Sequence, residues 1–465
     1  MDSAGQKKLC AAIGIIIIYF VLVWLPTPEG MTPPAQKAIA LMLCAVLTWV
    51  FEVLPIAVSA ILFTLLPAAL GVMPLPKVMG QFATPTIFFV FAMFCISIAF
   101  QNSGLSRRMV LWTSLKSRGN PRLFLFWMMM VSAVLSSFLA DIPVCAMMFP
   151  MALLLLESND CRPGESKFGK AVMIGLPVAC LIGGVGTPAG SAMNMLTMSV
   201  LQEMAHVNIS FGTWLILGMP MVLILTPIAW YVLIRLYPPE ISQLQGMDKV
   251  ESEYAALGAL SGREKTFLFI LLLNFLLWFF CGDFKLPLPI AAVIGSVFFM
   301  IPGMSYLEWN RDKNHIGWGI LMLIGACNAL GMIIFDTGGA AWIVEHYLSG
   351  LASLSPLWIV AVVSLFTVVI HLLVPVNTAL VAIIAPALVV MAQGMGLNPA
   401  LFMIPMGFSV SAALLLPLDP VPLVTFPAKY YRMGDMFIPG CFITVAWVIV
   451  MCAIMFTLAT GLGMM

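Results

Sequence analysis

Two aspartates and a histidine stand in stretches where charge is otherwise absent. Asp141 follows the apolar run 124–139, Asp419 lies between Pro417 and Pro420, and His371 falls inside the apolar run 358–374. An ionisable side chain at membrane depth costs about 2.5–3.5 kcal/mol or more and is functional by default. Three chemistries are open to the aspartates. They carry protons, they stay charged beside a bound Na⁺, or they face a solute less anionic than a dicarboxylate. A plainer role is to cap short helices, since aspartate is a favoured N-cap residue. His371 is of the residue type that can shuttle a proton, or it is a satisfied packing residue. The same two aspartates could form a dyad sharing one proton, as in an intramembrane hydrolase. The Tyr-Asp and Gly-x-Gly-Asp contexts of such proteases are absent.

These residues lie at interruptions, and the interruptions come in pairs. In the first pair the run 124–139 meets Ala140-Asp141-Ile142-Pro143 before apolarity resumes, and the run 358–374 meets Pro375-Val376-Asn377-Thr378. A spanning helix does not carry such a proline beside a polar residue without compensation. Two half-helices meeting at a polar tip fit better, and their free N–H groups favour an anion. In the second pair a glycine-rich stretch, 183–194, contains Gly190, Ser191 and Asn194, and the stretch 417–422 holds three prolines with Asp419. Unwound backbone of this kind can coordinate a cation such as Na⁺, and paired breaks in two halves point to a binding site.

The elements that position these breaks are membrane helices. Of 465 residues 62% are apolar and 9% charged, with a mean hydropathy of +1.07. Soluble domains are about 25% charged. The composition excludes a soluble globular protein, a disordered chain and a nucleic-acid binder. The expected fold is an all-α polytopic membrane protein of about 11 spans. The ten cysteines include no CxxC pair, read as buried thiols, and offer no tightly bound metal site. The first apolar run, after Lys7 and Lys8, lacks a small-residue cleavage site and reads as a retained span.

Leu54-Pro55-Ile56-Ala57 recurs as Leu288-Pro289-Ile290-Ala291, and Ser103-Gly104 recurs as Thr337-Gly338, both displaced by the same distance along the chain. Asp141 with Pro150 corresponds to Asn377 with Pro386 at a displacement only slightly longer. A near-constant offset implies duplication. The expected organisation is a first span at 1–33, a first repeat at 34–240, a cytoplasmic linker at 241–264 and a second repeat at 265–465. The first repeat has its tip at 140–143 and its unwound stretch at 186–194. The second has them at 375–378 and 417–422. With the N-terminus in the cytoplasm and an odd number of crossings per repeat, every Lys and Arg except Lys37, Lys77 and Lys285 faces inside. The repeats are then inverted, the C-terminus lies outside, and the architecture is that of an alternating-access carrier. Short loops suit a bacterial inner membrane.

The chain resembles the divalent anion/Na⁺ symporter family, carriers of di- and tricarboxylates. The resemblance covers most of the sequence. Trp49-Val50-Phe51-Glu52-Val53-Leu54-Pro55 is similar to the family's second and third spans, with Glu52 interfacial or scaffold-pairing. Residues 85–108 and 318–342 are similar to its two interfacial arms, with Asp336 as a hydrogen-bonding cap. The family carries a Ser-Asn-Thr tip on each hairpin. Here the first tip falls on Ala140, Asp141 and Ile142, and the second on Val376, Asn377 and Thr378, of which only Asn377 and Thr378 match by type. The family's second pair of breaks corresponds to Gly190, Ser191 and Asn194, with Ala192 and Met193 where prolines are usual, and to 419–423.

The resemblance implies that Ala140, Asp141, Ile142, Ser191, Val376, Asn377, Thr378 and Pro420 bind substrate. It implies that Ser136, Asp141, Gly190, Asn194, Asn377, Asp419 and His371 bind the cation or couple protons, although Ser136 is as readily a packing serine. It further implies Na⁺ or H⁺ as coupling ion with no other cofactor, a homodimer in the lipid bilayer, and an elevator motion. The moving part would comprise 123–200 and 356–428, and the scaffold 34–75 and 265–302. A small organic anion is the expected cargo. A carboxylate exchanger, or a carrier of another small polar solute, is the alternative because the tips are altered.

Overall fold

The computed structural model describes residues 3–282, 284–303, 306–348, 350, 354–374 and 376–461. Every regular element among them is helical. In chain order the helices are α1 (Ser3–Trp24), α2 (Pro33–Val50), α3 (Ile56–Ala69), α4 (Leu75–Gly80), α5 (Pro85–Ser103), α6 (Leu105–Lys116), α7 (Pro121–Phe138) and α8 (Asp141–Ser158). There follow α9 (Lys167–Gly184), α10 (Ala192–Ala205), α11 (Phe211–Leu236), α12 (Met247–Leu257) and α13 (Gly262–Phe280). The remainder are α14 (Leu288–Val297), α15 (Trp309–Asp312), α16 (Trp318–Asp336), α17 (Gly339–Ile343), α18 (Pro356–Ile370), α19 (Asn377–Gly394), α20 (Ala400–Val410), α21 (Pro422–Thr425) and α22 (Met433–Ile454).

Local sequence sets the starts of these helices. Thr32, Asn120, Ser166 and Ser210 each accept a hydrogen bond from an N–H of the helix they precede. Ser261 and Glu264 make a reciprocal capping box at α13. Such partners replace those that the first turn of a helix lacks.

Ten helices among the described residues are long and apolar enough to cross a bilayer, close to the expected eleven. The membership of that set is instructive. It includes α7, α8 and α19, which end or begin at the tips, and it omits the shorter apolar helices α3, α18 and α20. Helices α9 and α20 form the centre of the body. Every residue of α20 is buried, as is nearly all of α9. Helix α1 stands at the rim, packs on α2 and leaves Ile13, Ile16, Ile17 and Phe20 exposed as a lipid-facing stripe.

The resemblance made 85–108 and 318–342 interfacial arms, and the structure corrects this. Helices α5 and α16 have 19 residues each, are largely buried and have span-like composition. They then bend at Gly104 (φ 91°) and Gly338 (φ 82°) into the short helices α6 and α17. These left-handed joints, at positions that the recurring motifs pair, need glycine, because a Cβ disfavours that conformation. Asp336 is not a cap. It accepts from Lys77 Nζ at 2.7 Å and ties α16 to α4. The first-repeat joint is held differently. Arg108 donates from Nε to Glu264 Oε1 (2.9 Å), from Nη2 to Glu264 Oε2 (3.1 Å) and from Nη1 to the Gly258 carbonyl (2.8 Å). Its guanidinium thereby joins α6 to α13 and to the end of α12.

Removing a partner from a largely buried charge-assisted network costs about 1–3 kcal/mol. Arg108→Ala is therefore expected to lower the melting temperature of the purified protein in detergent. Arg107→Ala loses only an exposed contact to Glu253, worth about 0–1 kcal/mol, and should melt close to the parent. Equal losses for the two variants would contradict this assignment.

Candidate functional site

The four interruptions converge on one cavity of about 430 Å³. At the first tip the helix stops after Phe138 for only two residues, Leu139 and Ala140. It resumes at Asp141 because that carboxylate supplies a local acceptor. Its Oδ1 receives the Ile142 N–H at 2.8 Å. The tip locks onto the first unwound stretch, 185–191. Thr187 donates its hydroxyl hydrogen to the Ser137 carbonyl, and Ser136 donates to the Cys180 carbonyl at 2.7 Å. Gly190 is wedged between the carbonyls of Gly184 and Ser136, where any Cβ would collide with backbone. Asn194, fully buried in the first turn of α10, donates from Nδ2 to the carbonyls of Gly184 and Thr187, both at 2.7 Å. Its Oδ1 is buried and has no hydrogen-bond partner.

The second tip is built from different chemistry. Pro375 lies outside the described residues. Helix α18 ends at Ile370, and α19 opens with Asn377 and Thr378 in its first turn. Asn377 donates from Nδ2 to Asp419 Oδ2 at 2.8 Å, while its Oδ1 meets Nε2 of His371. Asp419 Oδ1 accepts the Val421 N–H at 2.9 Å. His371 is 4% exposed and Asp419 2%. A tip residue, a residue of the second unwound stretch and the end of α18 thus form one hydrogen-bonded chain. The halves touch where Cys145 of α8 reaches the Val421 carbonyl at 3.6 Å.

Of the residues singled out in sequence, Ala140, Asp141, Ile142, Ser191, Val376, Asn377, Thr378, Asp419 and Pro420 all line the cavity. Ser136, Gly190, Asn194 and His371 do not. They stand directly behind the lining and hold it in place. Sequence reasoning missed the facing wall, made by Trp49, Phe89, Met93, Ile320 and Leu323. Glu52 also lines the cavity, although it was read as interfacial or scaffold-pairing. It sits in a tight α2–α3 corner at φ 46°, a corner braced by the bond from Trp49 Nε1 to Ser59 Oγ at 3.1 Å. The repeated Leu-Pro-Ile-Ala motif next to it was the available signal.

The lining is mostly apolar, with Asp141, Asp419, Asn377, Thr378, Ser191 and Glu52 as its polar groups and neither Lys nor Arg among them. Two half-helices, α8 and α19, begin at the cavity, and helix starts favour negative charge. At α8 that place is taken by Asp141 itself. At α19 it is held by neutral Asn377 and Thr378, so a bound anion fits better there. Asn194→Ala is expected to leave the buried Gly184 carbonyl without its donor and the Thr187 carbonyl with only the Gly190 N–H, and to cost about 1–3 kcal/mol. Differential scanning fluorimetry in detergent would read this as a lower melting temperature. An unchanged value would contradict the assigned role.

Comparisons with known proteins place the chain in a family. Residues 6–465 match the family described as the sodium:sulfate symporter transmembrane region. The chain is 27% identical over 438 residues to the sodium-dependent dicarboxylate transporter SdcS of Staphylococcus saprophyticus, covering 88% of this chain and 84% of that one. It is 26% identical over 450 residues to SdcS of Staphylococcus aureus, covering 90% and 84%. Among solved structures, the YdaH transporter of Alcanivorax borkumensis superposes with a TM-score of 0.52 at 13% identity, over 97% of this chain and 98% of the other. That last likeness is one of fold. The family and these relatives are transporters, which removes the hydrolase reading of the two aspartates. The chain is a multi-pass membrane protein and a divergent member of the sodium:sulfate symporter family.

Proposed function

We propose that this protein is a secondary active transporter of small organic anions of the di- or tricarboxylate type, driven by Na⁺ or H⁺ and working by an elevator motion. The observation that carries the reading is the convergence of four breaks, in two matched pairs, on one cavity. Non-helical backbone is tolerated at membrane depth only where protein or a water-filled cavity satisfies it. The dicarboxylate named for the SdcS relatives supplies the substrate class. The start of α19, where neutral Asn377 and Thr378 line the cavity, supplies the anion-favouring end, and the unpartnered Asn194 Oδ1 leaves an oxygen that suits a cation beside the first unwound stretch.

The contacts favour a moving part made of the two tips and their unwound stretches, 123–200 and 356–428, because each tip is bonded to its own break. Of the facing wall, Trp49 and Glu52 fall in the scaffold expected at 34–75, while Phe89, Met93, Ile320 and Leu323 come from α5 and α16, outside both expected parts. The protein is a homodimer in a bacterial inner membrane, with its N-terminus in the cytoplasm, its C-terminus outside and its two repeats inverted. The altered tips keep a second reading in play, a carboxylate exchanger or a carrier of another small polar solute. Four of the six tip positions depart from Ser-Asn-Thr, and three carboxylates, Asp141, Asp419 and Glu52, line the cavity.

Uptake of labelled succinate into proteoliposomes, with imposed Na⁺ and pH gradients, tests the proposal. Asn377→Ala is expected to lower the uptake rate about tenfold or more, the loss of roughly one good hydrogen bond to a charged group, with reconstituted protein unchanged. Transport equal to the parent would remove Asn377 from the site. An absence of succinate, citrate and sulfate uptake in every gradient would overturn the substrate class.

A further inference from the structure

We propose that His371, Asn377 and Asp419 form a proton-binding element, and that proton uptake there is what admits an anionic solute to the cavity. The proposal rests on the transporter reading and names its coupling ion.

The geometry centres on the Asn377 amide, which lies between an imidazole and a carboxylate. Its Nδ2 donates to Asp419 Oδ2 at 2.8 Å, and its Oδ1 faces Nε2 of His371. A primary amide has one donor end and one acceptor end, so its orientation dictates where its neighbours carry hydrogen. In the arrangement found, Nε2 of His371 bears the hydrogen and Asp419 is a carboxylate. A half-turn of the amide reverses both bonds. The NH₂ group then donates to a bare Nε2, the imidazole hydrogen resides on Nδ1, and Oδ1 accepts from a protonated Asp419 carboxyl group. Between the neutral-imidazole forms of these two states a single hydrogen ion is gained from solvent, the carboxylate becomes a carboxylic acid, and no electrons move. With the amide unturned, the same proton yields imidazolium. By either route the charge of the trio changes from minus one to zero.

That single charge matters because of what surrounds it. Asp141 and Cys145 approach from α8, and Cys180 of α9 stands beside both. Cys327 of α16 adjoins Thr378, Tyr431 bonds to Thr425 beyond the unwound stretch, and Glu52 faces in from the opposite wall. None of these groups brings positive charge. Among the described residues His371 is the one base that meets this cluster. An anion entering beside ionised Asp141 and Asp419 is repelled, whereas a proton on the trio removes part of that repulsion. Reciprocity follows: if the proton raises anion affinity, the anion raises proton affinity by the same factor. The oxygens are also spoken for. Asn377 Oδ1 is engaged by the imidazole and each Asp419 oxygen already takes one N–H donor, which leaves the trio too few open oxygens for the shell an alkali cation needs but enough for a proton, which needs one.

Infrared difference spectroscopy of the lipid-reconstituted protein, titrated from about pH 5 to 8, reads the element without any substrate. A protonated-carboxyl C=O band should appear as pH falls, vanish in Asp419→Asn and persist in Asp141→Asn. Its midpoint should move by about one pH unit in His371→Gln. Absence from the parent protein of both this band and an imidazolium ring signal, survival of the full band in Asp419→Asn, or an unmoved midpoint in His371→Gln would overturn the proton-binding element. The His371→Gln arm decides the matter if Asp419→Asn does not fold. Coupling is read separately with a pH dye in lightly buffered samples, where adding succinate should draw protons from the medium in the parent and not in Asp419→Asn. A transported succinate that draws no protons would overturn the coupling. Failure of every carboxylate to be transported, with the band intact, would overturn the anion reading and leave the proton-binding element standing.

Discussion

Backbone that leaves the helix inside an apolar body must find partners for its carbonyl and N–H groups. That requirement organises this molecule. An unsatisfied peptide group in such surroundings costs several kcal/mol, and four stretches of this chain incur the risk. Each is answered by side chains from its own pair. Asn194 closes the carbonyls of Gly184 and Thr187, and Thr187 reaches the Ser137 carbonyl of the first tip. Asp419 takes the Val421 N–H and holds Asn377 of the second tip. The partners that make each break tolerable are therefore the ones that fasten each tip to its unwound stretch. A body locked in this way can move against its surroundings without exposing raw backbone.

The two pairs meet the same requirement with different chemistry. The first uses the Asp141 carboxyl only within its own tip and joins tip to break through neutral groups, a threonine, a buried asparagine with one oxygen left open, and a glycine so closely packed that no side chain could replace it. The second uses a carboxylate, an amide and an imidazole in series. Breaks paired by recurring motifs can share geometry without sharing charge. On the proposed reading one break is shaped by packing and the other by protonation, with Asp141 occupying the helix start that would otherwise greet an anion.

Much of this was legible in the sequence. A proline beside a polar residue, embedded in an apolar run, marked each break, and the near-constant displacement between recurring motifs paired them. The lining residues foreseen at the tips and breaks, from Ala140 to Pro420, all reach the cavity. What was not legible follows from tertiary packing. The facing wall comes from a tight corner after α2, whose left-handed Glu52 gives no periodic signal. Asp336 looked like a cap because its partner, Lys77, is far away in the chain. The family resemblance makes residues 85–108 and 318–342 interfacial arms, and each contains a glycine near its polar end. The glycine is a joint, and the long helix before it is a buried span.

The most direct test of the central claim, that the four breaks enclose one substrate cavity open alternately to the two sides, is thiol labelling at a tip. A single cysteine introduced as Ala140→Cys, in a background where the native cysteines are replaced by serine or alanine, can be probed with a membrane-impermeant maleimide from each face of oriented vesicles. The account predicts labelling from both faces, slowed from both by succinate. Labelling confined to one face, or indifferent to succinate while transport persists, would contradict it.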